Sequence, residues 1–172
     1  MTLPEDVPSI DDVMAWQDTA EEECSTPVRI RRLLMEQSYA VLSTQTLSQP
    51  YGSLIAFAAS DDLKTIVFAT PVTTRKYRLL TECEHVALVI DSRSTSPSDM
   101  MRIEAVTATG RARVIAAGTE SDCWGGLLTA RHPHLAAFVR AQSSALVCVD
   151  VVRYFHVCRF QEVRQWVPGR AS

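Results

Sequence analysis

Glycine is scarce. The six glycines in 172 residues form neither GxGxxG nor GxxxxGK followed by Ser or Thr. That excludes the backbone-lined phosphate loops of dinucleotide-binding and P-loop proteins. Gly125-Gly126 falls within a helical stretch and precedes no phosphate motif. Cysteine is thin as well: five residues, an odd number without CxxC or metal-type spacing, which argues against a disulfide framework or a zinc site. No apolar run is long enough to cross a bilayer as a helix, and no basic-then-apolar signal opens the chain. The expectation is therefore a cytoplasmic protein without membrane association. Lys and Arg are missing from residues 1–24, where eight acids stand: Glu5, Asp6, Asp11, Asp12, Asp18, Glu21, Glu22 and Glu23. Such a run reads as a solvated acidic arm, or as one that folds over a basic partner subunit.

What remains is a chain with 47% apolar residues, enough for one domain with a sizeable core. The division expected is an arm over 1–25, a domain over 26–168 and a tail over 169–172. Residues 10–22 offer a short helix. Thr26 and Pro27 begin another over 27–38, with Ile30, Leu33, Leu34 and Gln37 at helical spacing and Arg29, Arg31 and Arg32 on its solvent side. From Tyr39 the period shortens: YAVLST, SLIAFAAS, TIVFAT and HVALVID are β-rich runs broken by turn residues. MRIEAVTATGRARVIAA alternates, with Val106, Ala108, Ala112 and Val114 facing one way and Thr107, Thr109, Arg111 and Arg113 the other. Thr119-Glu120-Ser121-Asp122 resembles a capping box ahead of a helix that runs to about Arg140 and is interrupted at Pro133. ALVCVDVV, RYFHVCRF and EVRQWV close the chain as strands. Six to seven mainly antiparallel strands with flanking helices predict an α+β barrel.

The most telling stretch is FATPVTTRKYRLL, residues 68–80. A strand ends there and a short helix begins, capped by Thr73 or Thr74. Arg75 and Lys76 fall in the helix's first turn, where the dipole disfavours cations. They make sense there if an anion sits among them, held by Thr70, Thr73 and Thr74 hydroxyls and the helix N-terminus. An ordinary cap with two exposed cations is the competing reading. The histidines look structural: His132 and His134 flank Pro133 at a helix break with no acid or cysteine at ligand spacing, His85 begins a strand, and His156 lines one. Cys83, Cys123, Cys148 and Cys158 fit buried apolar positions, and Cys24 lies beside the acidic arm. No metal is expected. Nucleic acid is disfavoured as a partner, because the cations are not interleaved with stacking aromatics.

The segment Thr70, Pro71, Val72, Thr73, Thr74, Arg75, Lys76, with Leu80 and then HVALVID, resembles the phosphate loop of the pyridoxamine 5′-phosphate oxidase-like flavoproteins. Thr74 stands for the family serine and Cys83-Glu84 for its Asn-Pro. VLSTQTLSQPYGSLIAFAAS is similar to that family's first hairpin, and LTARHPHLAAFV to a helix of its haem-utilisation and flavin-binding branches. The resemblance covers residues 27–166. It implies an FMN-binding split β-barrel that forms a homodimer with two FMN sites at the subunit interface. Arg75 and Lys76 would neutralise the phosphate, with Thr70, Thr73 and Thr74 adding hydroxyls. Ser53, Leu54 and Ile55 would line the ring, and Arg164 or Trp166 would reach the partner's flavin. The true oxidase carries an Arg-x-His motif near its C-terminus. Here Arg164 is followed by Trp166 in the imidazole's place, so pyridoxamine phosphate oxidation does not carry over. The function implied is an oxidoreductase that passes electrons from a reduced small-molecule donor through FMN to a small-molecule acceptor. The alternative is a non-catalytic flavin- or haem-binding protein, and a deazaflavin phosphate would satisfy the same loop.

Overall fold

The structure is a computed structural model that describes residues 25–46, 49–94, 102–159 and 162–169. The acidic arm, the helix expected over 10–22, Cys24 and the end of the tail lie outside the described residues. Helix α1 (Thr26–Glu36) opens with Pro27 in its first turn and buries Ile30, Leu33 and Leu34. Seven strands follow: β1 (Tyr39–Thr46), β2 (Gln49–Ala59), β3 (Thr65–Pro71), β4 (His85–Asp91), β5 (Ala105–Val114), β6 (Ser144–Cys158) and β7 (Glu162–Trp166). Between them lie α2 (Arg75–Glu82), α3 (Thr119–Arg131), a 3-10 turn (Pro133–Leu135) and α4 (Ala136–Arg140). This is an α+β split barrel.

The sheet order is β3-β2-β1-β4-β5-β6-β7, every neighbouring pair antiparallel, and β3 also pairs with β6. Six strands thus close on themselves and β7 is left outside. Strand β6 makes the closure possible by changing partners. Its first half, Ser144–Asp150, pairs with β3; its second, Tyr154–Cys158, pairs with β7. The two halves are joined by a bulge, where Thr109 opposes Arg153 and Gly110 opposes Val151, leaving Val152 unpaired. A side chain at Gly110 would place its Cβ 2.4 Å from the Asp150 carbonyl oxygen, so only glycine fits.

Alternation sorts the side chains. Ile55, Phe57, Leu42, Phe68, Leu88, Ile90, Val106 and Tyr154 fill the barrel, joined by Ile30 and Leu34 from α1. A second cluster (Ala58, Val67, Leu146 and Cys148) lies on the outer side of β2, β3 and β6, beneath Trp124 and Leu128 of α3. The outer face of β1, β4, β5 and the second half of β6 has no helix over it among the described residues. Its register rows read Leu54–Val41–Val89–Thr107–Phe155 and Gly52–Ser43–Ala87–Thr109–Arg153.

Several local expectations are corrected. The runs ALVCVDVV and RYFHVCRF are one continuous strand, because the bulge carries β6 through its change of partner. The N-cap of α3 is Gly118, and no side chain caps it. Val114 is exposed at the end of β5. Cys123 is exposed and Cys83 half-buried; Cys148 and Cys158 are buried, and burial pushes the Cys148 thiol up to about 12. His132 is buried beside the helix break, its Nε2 2.9 Å from the Phe57 carbonyl, and exposed His85 begins β4.

Arg29 does not face solvent. It is 7% exposed and lies 3.4 Å from Glu104, which also meets Arg32 at 2.9 Å and His156 Nε2 at 2.9 Å. The hydrogen bond from His156, reinforced by the two arginines, holds the Glu104 carboxyl below its ordinary range. A lowered carboxyl contributes stability that is present above its unfolded pKa and lost as pH falls through the folded value. Glu104→Gln removes the negative charge that Arg29, Arg32 and His156 share and is expected to cost on the order of 3 kcal/mol near neutrality. It should also flatten the acid limb of stability below about pH 4.5. Urea unfolding across pH checks both; a variant with the parent's acid limb would refute the role given to Glu104.

Candidate functional site

The sequence-predicted cluster gathers where β3 ends and α2 begins. Thr74 is the N-cap of α2, its Oγ1 accepting the Tyr77 amide at 3.2 Å. That oxygen also lies 2.9 Å from the Pro71 carbonyl, to which its one proton goes, and 3.1 Å from Thr70 Oγ1. With the Thr74 proton so placed, Thr70 is the donor of the pair. Thr70 is 1% exposed, so its hydroxyl braces the cap from within. Thr73 is exposed in the turn. The first amides of α2 have no partner within the helix, as at any helix start.

Among the described residues neither cation of the first turn meets a carboxylate. Lys76 reaches across to β2 and donates to the Leu54 carbonyl at 3.1 Å. Burial without a counter-charge lowers its pKa. Arg75 lies over the Tyr51 ring, 4.9 Å from the centroid. Two adjacent cations, one settled on a carbonyl and the other on a ring, with an exposed hydroxyl and free amides beside them, form a donor set short of an anion. A phosphate monoester matches it in charge and in number of acceptors.

Beside them, β2 presents its backbone. Ser53 and Ile55 are register partners of Leu42 and Ala40, so their side chains turn into the barrel, and Ser53 Oγ is buried without a partner. The Leu54 side chain points outward and is 65% exposed. A Cβ built on Gly52 would meet only Val41 Cγ1, at an ordinary 3.7 Å. Nothing among the described residues requires that glycine.

Arg164 and Trp166 are not brought to this cluster within one chain. They stand on β7, where Trp166 stacks on Tyr154 with centroids 5.8 Å apart and Arg164 pairs with Glu162. Tyr154 in turn donates to the Leu63 carbonyl, before the start of β3, whereas the cation cluster lies at the end of β3. The separation is about 20 Å for a strand of this length. A cavity of about 670 Å³ near that far end is lined by Asp61, Asp62, Asp150, Lys64 and Trp124. Two of its three acids are engaged, Asp62 by Ser60 and the Lys64 amide and Asp150 by Arg113. Among the described residues no three His, Cys, Asp or Glu side chains gather as a metal site, and no helix is long and apolar enough to cross a membrane.

Sequence reasoning missed Tyr51, the outward Phe155 and the bond from Lys76 to the Leu54 carbonyl. Their roles depend on strand register rather than on any local pattern.

Comparison with known proteins agrees with this architecture. The family model described as Pyridoxamine 5'-phosphate oxidase matches residues 27–158. No curated protein matches the sequence. Among solved structures, a heme binding protein from Mycobacterium smegmatis is similar with a TM-score of 0.69 at 16% identity, over 80% of this chain and 56% of that one. ChuZ of Campylobacter jejuni gives 0.72 at 9% identity, over 86% and 62%. An FAD-binding protein from Mesorhizobium loti gives 0.61 at 12% identity, over 77% and 94%. The chain spans less than two thirds of the first two. At these identities the likeness is one of fold.

Thr74→Ala is expected to cost about 1 kcal/mol through loss of the α2 cap, while Thr73→Ala leaves stability unchanged. Denaturant titration of both separates the capping hydroxyl from the free one; equal losses would contradict the assignment.

Proposed function

The chain belongs to the pyridoxamine 5′-phosphate oxidase family, and from that premise we propose that it binds FMN, with the phosphate at the N-terminus of α2. The observation that carries this reading is the pair Arg75 and Lys76, which has hydroxyls and free amides around it and no carboxylate partner. Arg75 and Lys76 would supply charge, and Thr73 with the first amides of α2 would supply further donors. Thr70 and Thr74 would hold the turn in shape. Leu54 and the β2 backbone would border the ring, with Gly52 leaving room for it to approach. Bound FMN supplies the electron-carrying chemistry, which suits a site without a nucleophile–base–acid constellation. The activity proposed is electron transfer from a reduced donor, such as a nicotinamide, to a small-molecule acceptor. The Arg-x-His of the true oxidase is replaced by Arg164 and Trp166, so another substrate is expected.

The proposed assembly is a homodimer formed through the uncovered outer face. That face sets Leu54, Val41, Val89 and Phe155 in one register row across five strands, runs on into the cation cluster at Leu54, and has no other cover among the described residues. A second copy is the occupant that buries it while closing the open side of the FMN site. Arg164 and Trp166 would then act, if at all, across the interface. Non-catalytic binding of flavin or haem is the second reading, favoured by the likeness to a heme binding protein. The absorption spectrum of purified protein separates flavin from haem in one measurement.

Charge-assisted phosphate bonds contribute roughly 1.5–3 kcal/mol each. Replacing Arg75 and Lys76 together by alanine is expected to weaken FMN binding by about two orders of magnitude or more. An unchanged dissociation constant would overturn the assignment. Gly52→Val should leave the fold intact by circular dichroism, since the chain has space for the side chain, and should abolish FMN binding. Normal titration by flavin fluorescence would show that the ring does not approach β2 there.

A further inference from the structure

One cation on the uncovered face is unexplained. Arg153 stands on the second half of β6, opposite Thr109 and beside Phe155, with its guanidinium carbon 5.9 Å from the Phe155 ring centroid. Its Nε is buried and has no acceptor. Among the described residues its side chain makes no hydrogen bond or ion pair. The arginines of the neighbouring strand are all matched otherwise: Arg111 with Glu84, Arg113 with Asp150 and Glu120. A buried Nε–H without an acceptor costs free energy unless something beyond the described residues completes it.

Arg153 cannot reach the cation cluster of its own chain. In the row Gly52–Ser43–Ala87–Thr109–Arg153 the two ends lie at opposite margins of the face. Four strand spacings separate them, about 19 Å along the curved sheet. A two-fold interface exchanges such margins. With the axis running along the central strand β4, β6 of one copy lies over β2 of the other, and each contact occurs twice. An axis across the strands would instead set β6 against β6 and bring the two Arg153 stretches together with no acceptor between them.

We infer that Arg153 crosses the interface and completes the FMN site of the second copy, donating to the carbonyl-bearing edge of the flavin ring beside β2. The inference rests on the dimeric FMN reading given above. It adds to the site a residue of β6, a strand to which the family resemblance assigned no contact with the flavin. It also gives that residue an electrostatic task, because a fixed cation beside the ring favours the more electron-rich reduced form.

The test is a hybrid dimer. Lys76→Ala and Arg153→Met are each expected to weaken FMN binding at least about tenfold, while both variants stay folded and dimeric by circular dichroism and light scattering. When the two are co-expressed with different tags and the mixed dimer is purified through both, one of its sites contains both native residues and the other contains both substitutions. A site shared across the interface recovers one tightly bound FMN per dimer. A hybrid with no tight site would overturn the placement. Arg153→Met is further expected to lower the flavin midpoint potential in dye-equilibration titration, and Arg153→Lys to restore most of it. An unchanged potential in Arg153→Met, or a variant that loses dimerisation while keeping its FMN affinity, would also overturn the inference and leave Arg153 as an interface residue alone. A wild-type protein with no affinity for FMN would overturn the flavin reading itself, a result distinct from a hybrid that fails to recover.

Discussion

The close approach of Gly110 to the Asp150 carbonyl is the constraint on which the rest of the structure depends. Because no side chain stands there, β5 can follow β6 through its bulge, and β6 can leave β3 for β7 without breaking from the sheet. That single bend closes the barrel on one side and extends it on the other. It also divides the outer surface: the first half of β6 lies under α3, while the second half, with Arg153 and Phe155, is left bare.

The candidate site inherits this division. Helix α2 seats at the end of β3, where Thr70 and Thr74 fix the turn, and its first-turn cations look toward β2 at the margin of the bare face. Local chemistry sets the charge, and the barrel sets which way the charge looks. Lys76 shows the two together: α2 supplies the amine, and β2, paired elsewhere in the sheet, supplies the carbonyl on which it rests.

What the sequence made legible follows the same line. Helix α1, the strands after Tyr39, the alternation of β5 and the Thr74 cap are written in neighbouring residues, and they were read correctly to within a few positions. The cation pair was legible because cations in a first helical turn are locally anomalous. Arg29 was misread, because its partner Glu104 lies far along the chain and nothing in α1 announces it. Two short strands were expected where β6 is one, since a bulge that serves a change of partner has no local signature. Tyr51 and Phe155 acquire meaning only from register across strands, as does the inward turn of Ser53.

The partner change in β6 also bears on how the chain is made. Strand β3 cannot find its second neighbour until residues 144–150 have emerged, because Thr65 pairs with Asp150 and Pro71 with Ser144. From the end of β3 at Pro71 until Ser144 is made, then, β3 presents an unpaired edge rich in Ile66, Val67 and Phe68. Such an edge is open to pairing with other chains, and closure through contacts so distant in sequence is slow. The price of closing the barrel through β6 is thus an interval in which an apolar strand edge stands open to misassembly.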